Sequence, residues 1–220
     1  MFQSTKSIGL ANVAIIFATN NSIMEQGQAP ELTEEELIAE EDKVLRSSLI
    51  VNFAAGPGAG KTTLCAGVFT ELKLLGINCE IAPEYAKGIV WEGSLHKLKN
   101  QIYIFGKQHQ AIFRLCGKVD VVLTDSPIFL STIYDKRRDP LFRQYVLQEF
   151  DRFNNLNFYV RREKKYLPKG RTQTEEEARE VDDTVHNMLV SCGLKFEEVR
   201  GDRSSIAVIA DKIVAALAAS

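Results

Sequence analysis

The stretch that decides the fold is Leu49–Cys65, which reads LIVNFAAGPGAGKTTLC. Its first residues are mostly apolar, as in a buried strand, and a glycine-rich turn and an apolar helix follow. This order is typical of a phosphate-binding loop, or P-loop, with the pattern GxxxxGK[ST]. Ala55 stands in place of the first glycine, whereas Gly60, Lys61 and Thr62 match the remaining positions. The sequence therefore predicts a site for nucleotide phosphates directly after this strand.

The chemistry of a P-loop explains this spacing. Glycines allow backbone N–H groups to turn inward around the phosphates, at the positive end of the following helix. We expect the Lys61 side chain to reach the terminal phosphates and the Thr62 hydroxyl to bind Mg²⁺. ATP and Mg²⁺ are therefore the expected cofactors, and the predicted nucleotide-binding residues are Gly56, Gly58, Ala59, Gly60, Lys61, Thr62 and Thr63.

Strand-like and helical segments alternate from Ser47 onward. This alternation is typical of an α/β domain with a parallel sheet and helices on both faces. The predicted strands are Leu49–Ala54, Asn78–Ala82, Val119–Leu123, Leu156–Val160 and Phe196–Val199. The predicted helices are Lys61–Leu75, Ser94–Cys116, Pro140–Phe153, Glu175–Cys192 and Ser205–Ala218.

Size and composition fit one globular domain with an appendage. The chain has 220 residues, of which 45% are hydrophobic and 25% charged, and its net charge of -2 argues against a protein that coats nucleic acid. The four cysteines lack zinc-ligand spacing, so we expect reduced, buried thiols. No apolar run reaches the ~18 residues that a membrane span requires. We therefore expect a cytoplasmic protein without membrane contact.

Residues 1–45 differ from the rest and are predicted to form an N-terminal appendage. Seven of the twelve residues from 31 to 42 are acidic. Thr33 with Glu36 has the pattern of a capping box, which predicts a short amphipathic helix after it. Residues 46–220 then form the main domain.

The segment KVDVVLTDSP, residues 118–127, is an apolar strand that ends in Asp125. A carboxylate at this place can hold Mg²⁺ directly or through water, although a helix cap is the alternative. ATP-driven motors usually carry a second acid next in the chain, but Ser126 follows here. The asparagine-lysine-x-aspartate motif with which GTPases read their base is also missing. The sequence therefore argues against a motor and against a GTPase switch.

Glu84 follows the second predicted strand, at the edge of a parallel sheet where ligands collect. A carboxylate near the acceptor can take the proton of a hydroxyl during phosphoryl transfer, whereas an acceptor phosphate has no such proton to lose. We therefore predict Glu84 as the catalytic base and a hydroxyl as the acceptor. The alternative is an acid in the first turn of a helix, which the helix dipole favours.

Six of the eleven residues from 161 to 171 are basic, and they show little hydrophobic patterning. This composition predicts a mobile lid over about residues 161–174. Arginines on such a lid can neutralise the charge that develops on a transferred phosphoryl group. Arg171 is the first candidate for this catalytic role and Arg162 the second, with Arg161 and Arg179 as further candidates.

Four short segments together resemble a P-loop kinase of the nucleoside and nucleotide kinase superfamily, particularly its ribosylnicotinamide-kinase-like branch. The similarity spans about residues 48–200 and implies an ATP-dependent phosphotransferase with the strand order 2-3-1-4-5. Ser126 departs from that branch, in which a second aspartate is common, and so does Ala55. The segments that carry the resemblance are Glu84–Lys87, Gln108–Gln110, Thr124-Asp125 and Gly170-Arg171.

The chain also resembles P-loop kinases and ATPases that phages encode, some of which act on hydroxymethylated pyrimidines in DNA. The acceptor is therefore predicted to be a nucleoside-like molecule or a modified base in DNA. In the latter case the protein is expected in the host cytoplasm. A nucleoside monophosphate kinase, a nucleotide-dependent binding module and a homo-oligomer remain open. Aromatic stacking and amide hydrogen bonds could form the acceptor pocket from Glu84, Tyr85, Trp91, Gln101 and Tyr103.

Overall fold

The computed structural model describes residues 33–163, 166–167 and 174–219. The chain divides into two units, residues 1–44 and residues 45–220. Helix α1 (Glu34–Arg46) starts in the first unit. The Thr33 backbone N–H donates to Glu36 Oε2 (2.8 Å), and Thr33 Oγ1 accepts from the Glu36 N–H (3.3 Å). The predicted capping box at the start of this helix is thereby confirmed.

The second unit alternates strands and helices, and the described residues form one five-stranded parallel sheet of order β2-β3-β1-β4-β5. The predicted fold class and strand order are therefore confirmed. The strands are β1 (Leu49–Ala54), β2 (Cys79–Ile81), β3 (Val121–Thr124), β4 (Asn154–Arg161) and β5 (Glu197–Arg200). The helices are α2 (Lys61–Leu74), α3 (Tyr85–Trp91), α4 (Gln101–Phe113), α5 (Leu130–Tyr134), α6 (Pro140–Asp151), α7 (Glu175–Ser191) and α8 (Ser205–Ala218), with a 3₁₀ turn at Leu95–Lys99.

Strand β1 lies at the centre of the sheet and is buried along its whole length. Leu49 is paired with Val121 of β3 on one side and with Asn154 of β4 on the other. Successive side chains of a strand point to opposite faces, so Phe53 packs in the core cluster with α2 and α8, whereas Ile50 packs in the cluster with α4, α6 and α7. The loop at the carboxyl end of β1 is consequently held by strands on both sides.

Most predicted boundaries differ from the structure by one or two residues; β3, for example, begins at Val121 and not at Val119. The single helix predicted for Ser94–Cys116 is a 3₁₀ turn followed by α4, because Asn100 Oδ1 accepts from the Tyr103 N–H (3.2 Å) and starts a new helix. Helix α6 ends at Asp151, and β4 begins at Asn154, two residues before the predicted strand. The short helices α3 and α5 were not predicted. Among the described helices, none is long and apolar enough to cross a membrane.

The cysteines agree with the expectation of free thiols, since Cys65, Cys79 and Cys116 are buried while Cys192 is half-buried. Burial raises the pKa of Cys116 to about 12 and also raises the pKa values of Cys65 and Cys79.

The thiolate is the reactive form of cysteine. We therefore expect iodoacetamide at pH 8 to label Cys192 first, as measured by peptide mass spectrometry. Unfolding the protein should expose all four, and native labelling of Cys116 as fast as Cys192 would contradict this prediction.

Candidate functional site

Residues 55–60 connect the carboxyl end of β1 to the start of α2. Gly60 is the N-cap of α2 and has a φ of +112°, and Gly58 has a φ of +79°. These are left-handed conformations that glycine adopts readily and other residues rarely. A Cβ on Gly60 would lie 2.8 Å from the carbonyl oxygen of Gly201, which follows β5. The loop thus needs glycine both for its turn and for this close approach.

Gly60→Ala is expected to reduce the free energy of unfolding by about 3 kcal/mol, because it adds a left-handed alanine and a clash with Gly201. Gly76→Ala is a matched control, since Gly76 also has a positive φ (+78°) but an added Cβ would meet no atom within 4 Å. That variant should lose only about 1–2 kcal/mol. Urea unfolding measures both values, and equal losses would refute the importance of the contact.

Lys61 Nζ donates to the carbonyl oxygens of Ala55 and Gly56, each at 2.9 Å. Burial lowers the pKa of Lys61, while the negative charges of Glu84, Asp125 and Asp182 oppose that shift in decreasing order. Three carboxylates therefore surround one lysine at the carboxyl edge of the sheet.

Asp125 follows β3 and is 4% exposed. Thr62 Oγ1, at the start of α2, donates to Asp125 Oδ2 at 2.5 Å. Hard oxygen ligands of this kind suit Mg²⁺, so the donor set of the two predicted metal ligands fits the ion. The alternative role of Asp125 as a helix cap does not agree with the structure, because Phe129 is the N-cap of α5.

A buried glutamine fixes Glu84 and its neighbours relative to β3. Glu84 is the N-cap residue of α3, although its side chain makes no capping hydrogen bond. The next N–H, of Tyr85, donates to Gln108 Oε1 (3.0 Å), and Gln108 Nε2 donates to Thr124 Oγ1 (3.3 Å). Glu84 is also the carboxylate with the largest effect on the pKa of Lys61.

The predicted acceptor residues are brought together only in part. A depression of about 400 Å³ lies between α3 and α4, and Glu84 and Tyr85 line it with Lys107 and Arg114 among others. The Tyr85 hydroxyl is hydrogen-bonded to that of Tyr103, and this bond raises the pKa of Tyr85 to about 12.

The other two predicted pocket residues have different surroundings. Trp91 is 63% exposed at the end of α3. Gln101 is buried, and its amide donates to the carbonyl oxygen of Leu98 at 2.7 Å. Neither side chain lines the depression that contains Glu84.

The arginines predicted for the lid lie in different places. Arg161 is exposed and pairs with Glu198 of β5 (3.4 Å), and Arg179 pairs with Glu175 one helical turn away (2.8 Å). Arg162 is instead buried beside the P-loop, where its Nη2 donates to the carbonyl oxygen of Pro57 (2.8 Å). Arg171 and most of the predicted lid lie outside the described residues.

One residue of the site was missed from the sequence. Asp182 of α7 accepts a hydrogen bond from the Gly56 N–H (2.7 Å) and is only 8% exposed. Its position gives a signal, because it lies on the same face of α7 as the buried residues Ala178, Val185 and Leu189. A carboxylate within such an apolar stripe calls for a buried partner.

A glycine-rich loop between the central strand and a helix, in a parallel sheet of order 2-3-1-4-5, defines the P-loop kinase-like fold. The family model described as "AAA domain" matches residues 51–205. That match covers most of the chain, and the chain therefore belongs to this family. No curated protein matches it in sequence.

A solved structure with a TM-score above 0.5 agrees with this fold. The chain is similar to the NadR protein in complex with NR, with 16% identity, a TM-score of 0.57 and coverage of 92% of this chain. It spans just under two thirds (66%) of the length of that protein. It also matches thymidylate kinase from Ehrlichia chaffeensis at 12% identity, with a TM-score of 0.49 and coverage of 78% of this chain and 98% of that one. The predicted resemblance to P-loop kinases is confirmed at the level of the fold.

Proposed function

We propose that the protein is an ATP-dependent phosphotransferase that moves the γ-phosphoryl group of ATP to a hydroxyl of a nucleoside-like acceptor. The observation that carries this proposal is the position of Glu84, which follows β2 at the carboxyl edge of the sheet and lines the depression between α3 and α4. A base for the acceptor and a cation for the phosphates thus share one edge of the sheet.

Each residue has a distinct task in this reaction. The N–H groups of the P-loop and the Lys61 ammonium bind the phosphates, and Thr62 with Asp125 would hold Mg²⁺. Bound Mg²⁺ neutralises charge on the phosphate oxygens. The Glu84 carboxylate orients the acceptor hydroxyl and accepts its proton as the new O–P bond forms, while the bond from the γ-phosphorus to the bridging oxygen breaks and ADP leaves. Gln108 holds the backbone next to Glu84 through the Tyr85 N–H.

A nucleoside monophosphate kinase is the second candidate, because one observation favours it. Lys107 and Arg114 line the depression beside Glu84, where they could hold an acceptor phosphate. In that enzyme the acceptor would already be a phosphate and Glu84 would have no proton to accept.

A screen with γ-³²P-labelled ATP and Mg²⁺ tests the proposal. The acceptors are nucleosides, nucleoside monophosphates, ribosylnicotinamide, and duplex DNA with and without 5-hydroxymethyl-pyrimidines. Ribosylnicotinamide is included because the sequence resembles ribosylnicotinamide kinases. We expect label on a hydroxyl of a nucleoside-like acceptor, and label on modified DNA would assign the acceptor to that class. Best transfer to a monophosphate supports the second candidate, and hydrolysis without transfer to any acceptor would contradict a kinase.

A further inference from the structure

The Asp182 carboxylate joins two parts of the chain that are far apart in sequence. Its Oδ1 accepts from the Gly56 N–H (2.7 Å), and its Oδ2 accepts from Arg162 Nε (2.8 Å). Counting side-chain atoms alone, Asp182 is 12% exposed and Arg162 is 5% exposed, so both charged groups are nearly buried. A buried carboxylate is costly unless it is paired and hydrogen-bonded, and here each oxygen has a partner.

Helix α7 approaches the P-loop so closely that only glycine fits at position 56. A Cβ there would lie 2.7 Å from Asp182 Oδ1 and would also meet the backbone of α7. The position of the Asp182 carboxylate is therefore tied to the path of the loop backbone. Any group that Asp182 holds has a fixed position relative to the phosphate site.

Arg162 is the group that Asp182 holds. Its Nη2 donates to the carbonyl oxygens of Pro57 (2.8 Å) and Ala178 (3.4 Å). Its Nη1 is buried without a hydrogen-bond partner among the described residues. This nitrogen lies 3.2 Å from the place where a Cβ of Gly58 would be, beside the P-loop, and the ring of Tyr166 lies 3.0 Å from the same point. A buried guanidinium N–H that faces a phosphate loop calls for an anionic acceptor.

The charges around the loop point to the same ligand. The charge of Arg162 lowers the pKa of Lys61, although Glu84, Asp125 and Asp182 act on it more strongly in the opposite direction. Lys61 is expected to lie at the terminal phosphates. A polyanion bound by Lys61 would also supply an acceptor for Arg162 Nη1.

We propose that Asp182 is a positioning residue that holds Arg162 against the P-loop, so that Arg162 Nη1 donates to the terminal phosphate of bound ATP. The inference rests on the proposed function, because it needs ATP in the P-loop. The arginine that contacts the terminal phosphate is thus Arg162, at the end of β4.

The affinities for ATP and ADP, measured with Mg²⁺ by calorimetry, test this role without knowledge of the acceptor. The parent should bind ATP more tightly than ADP. Arg162→Gln and Asp182→Asn should each reduce this preference roughly tenfold through weaker ATP binding, as expected for a lost charged hydrogen bond. If the two residues had only a structural role, their replacement would weaken the binding of ATP and of ADP equally. Asp183→Asn is the matched control, because Asp183 is the exposed neighbour on α7 and should leave the preference unchanged.

The double variant Arg162→Gln/Asp182→Asn should show the same preference as Arg162→Gln alone, since Asp182 acts through Arg162. A further loss in the double variant, or an unchanged preference in either single variant, would overturn the inference. So would a parent that binds ATP and ADP equally. If Asp182→Asn does not fold, Asp182→Glu takes its place, and its longer side chain should also reduce the preference. A parent that binds neither nucleotide would instead contradict the proposed function.

Discussion

Glu84→Gln is expected to lower kcat by roughly 10²- to 10⁴-fold with a hydroxyl acceptor, which is the range for loss of a general base. Glutamine keeps the size of the side chain and most of its hydrogen bonding, but it cannot accept the proton. The Kd for ATP should stay nearly unchanged, because the P-loop itself is not altered. Steady-state kinetics on the acceptor found in the labelling screen, together with ATP calorimetry, measures both quantities.

The control for this prediction is Glu80→Gln. Glu80 lies on β2, four residues before Glu84, and pairs at the surface with Lys73 (3.2 Å). Its replacement should leave kcat within about twofold, as expected for a surface ion pair. Parental turnover of Glu84→Gln on a hydroxyl acceptor would remove Glu84 from the mechanism. The same result with a monophosphate as the best acceptor would favour the second candidate function.

Lys61→Ala is expected to weaken ATP binding by roughly 10- to 100-fold, because the phosphates lose a charged hydrogen bond at a buried site. Lys61 Nζ also donates to the carbonyl oxygens of Ala55 and Gly56, so thermal unfolding must show that the variant is still folded. Calorimetry and thermal unfolding together separate these effects.

Lys73→Ala is the matched control, since Lys73 belongs to the same helix but is exposed and pairs with Glu80. It should change the Kd for ATP by less than about twofold. Unchanged ATP affinity in Lys61→Ala would show that the loop is not the nucleotide site.

The fold could be predicted from the sequence because the sequence patterns that indicate it are local. The P-loop fixes the central strand, and alternating strands and helices with right-handed connections leave few ways to arrange a parallel sheet. Glu84 could also be predicted from the sequence, since its position after β2 follows from that arrangement. The break before α4 had a local signal in Asn100, but the long apolar pattern on both sides of it favoured one helix.

The Asp182 contact could not be predicted with the same certainty. The spacing of α7 does place this carboxylate on the buried face, but it does not say what lies opposite. The answer depends on how α7 packs against a loop 126 residues earlier in the chain. Likewise, composition identified a basic segment but could not tell that Arg161 faces β5 while Arg162 turns toward the P-loop.

The close approach of Gly60 to Gly201 has a consequence for biosynthesis. Asp182 and Gly201 pack against the P-loop, yet both are synthesised after it, Asp182 126 residues later than Gly56. A nascent chain that stops before Gly201 therefore lacks part of the support for its phosphate loop. Nucleotide binding should begin only when translation has passed that residue, so bound ATP would stabilise chains that contain Gly201 and leave shorter products to proteolysis.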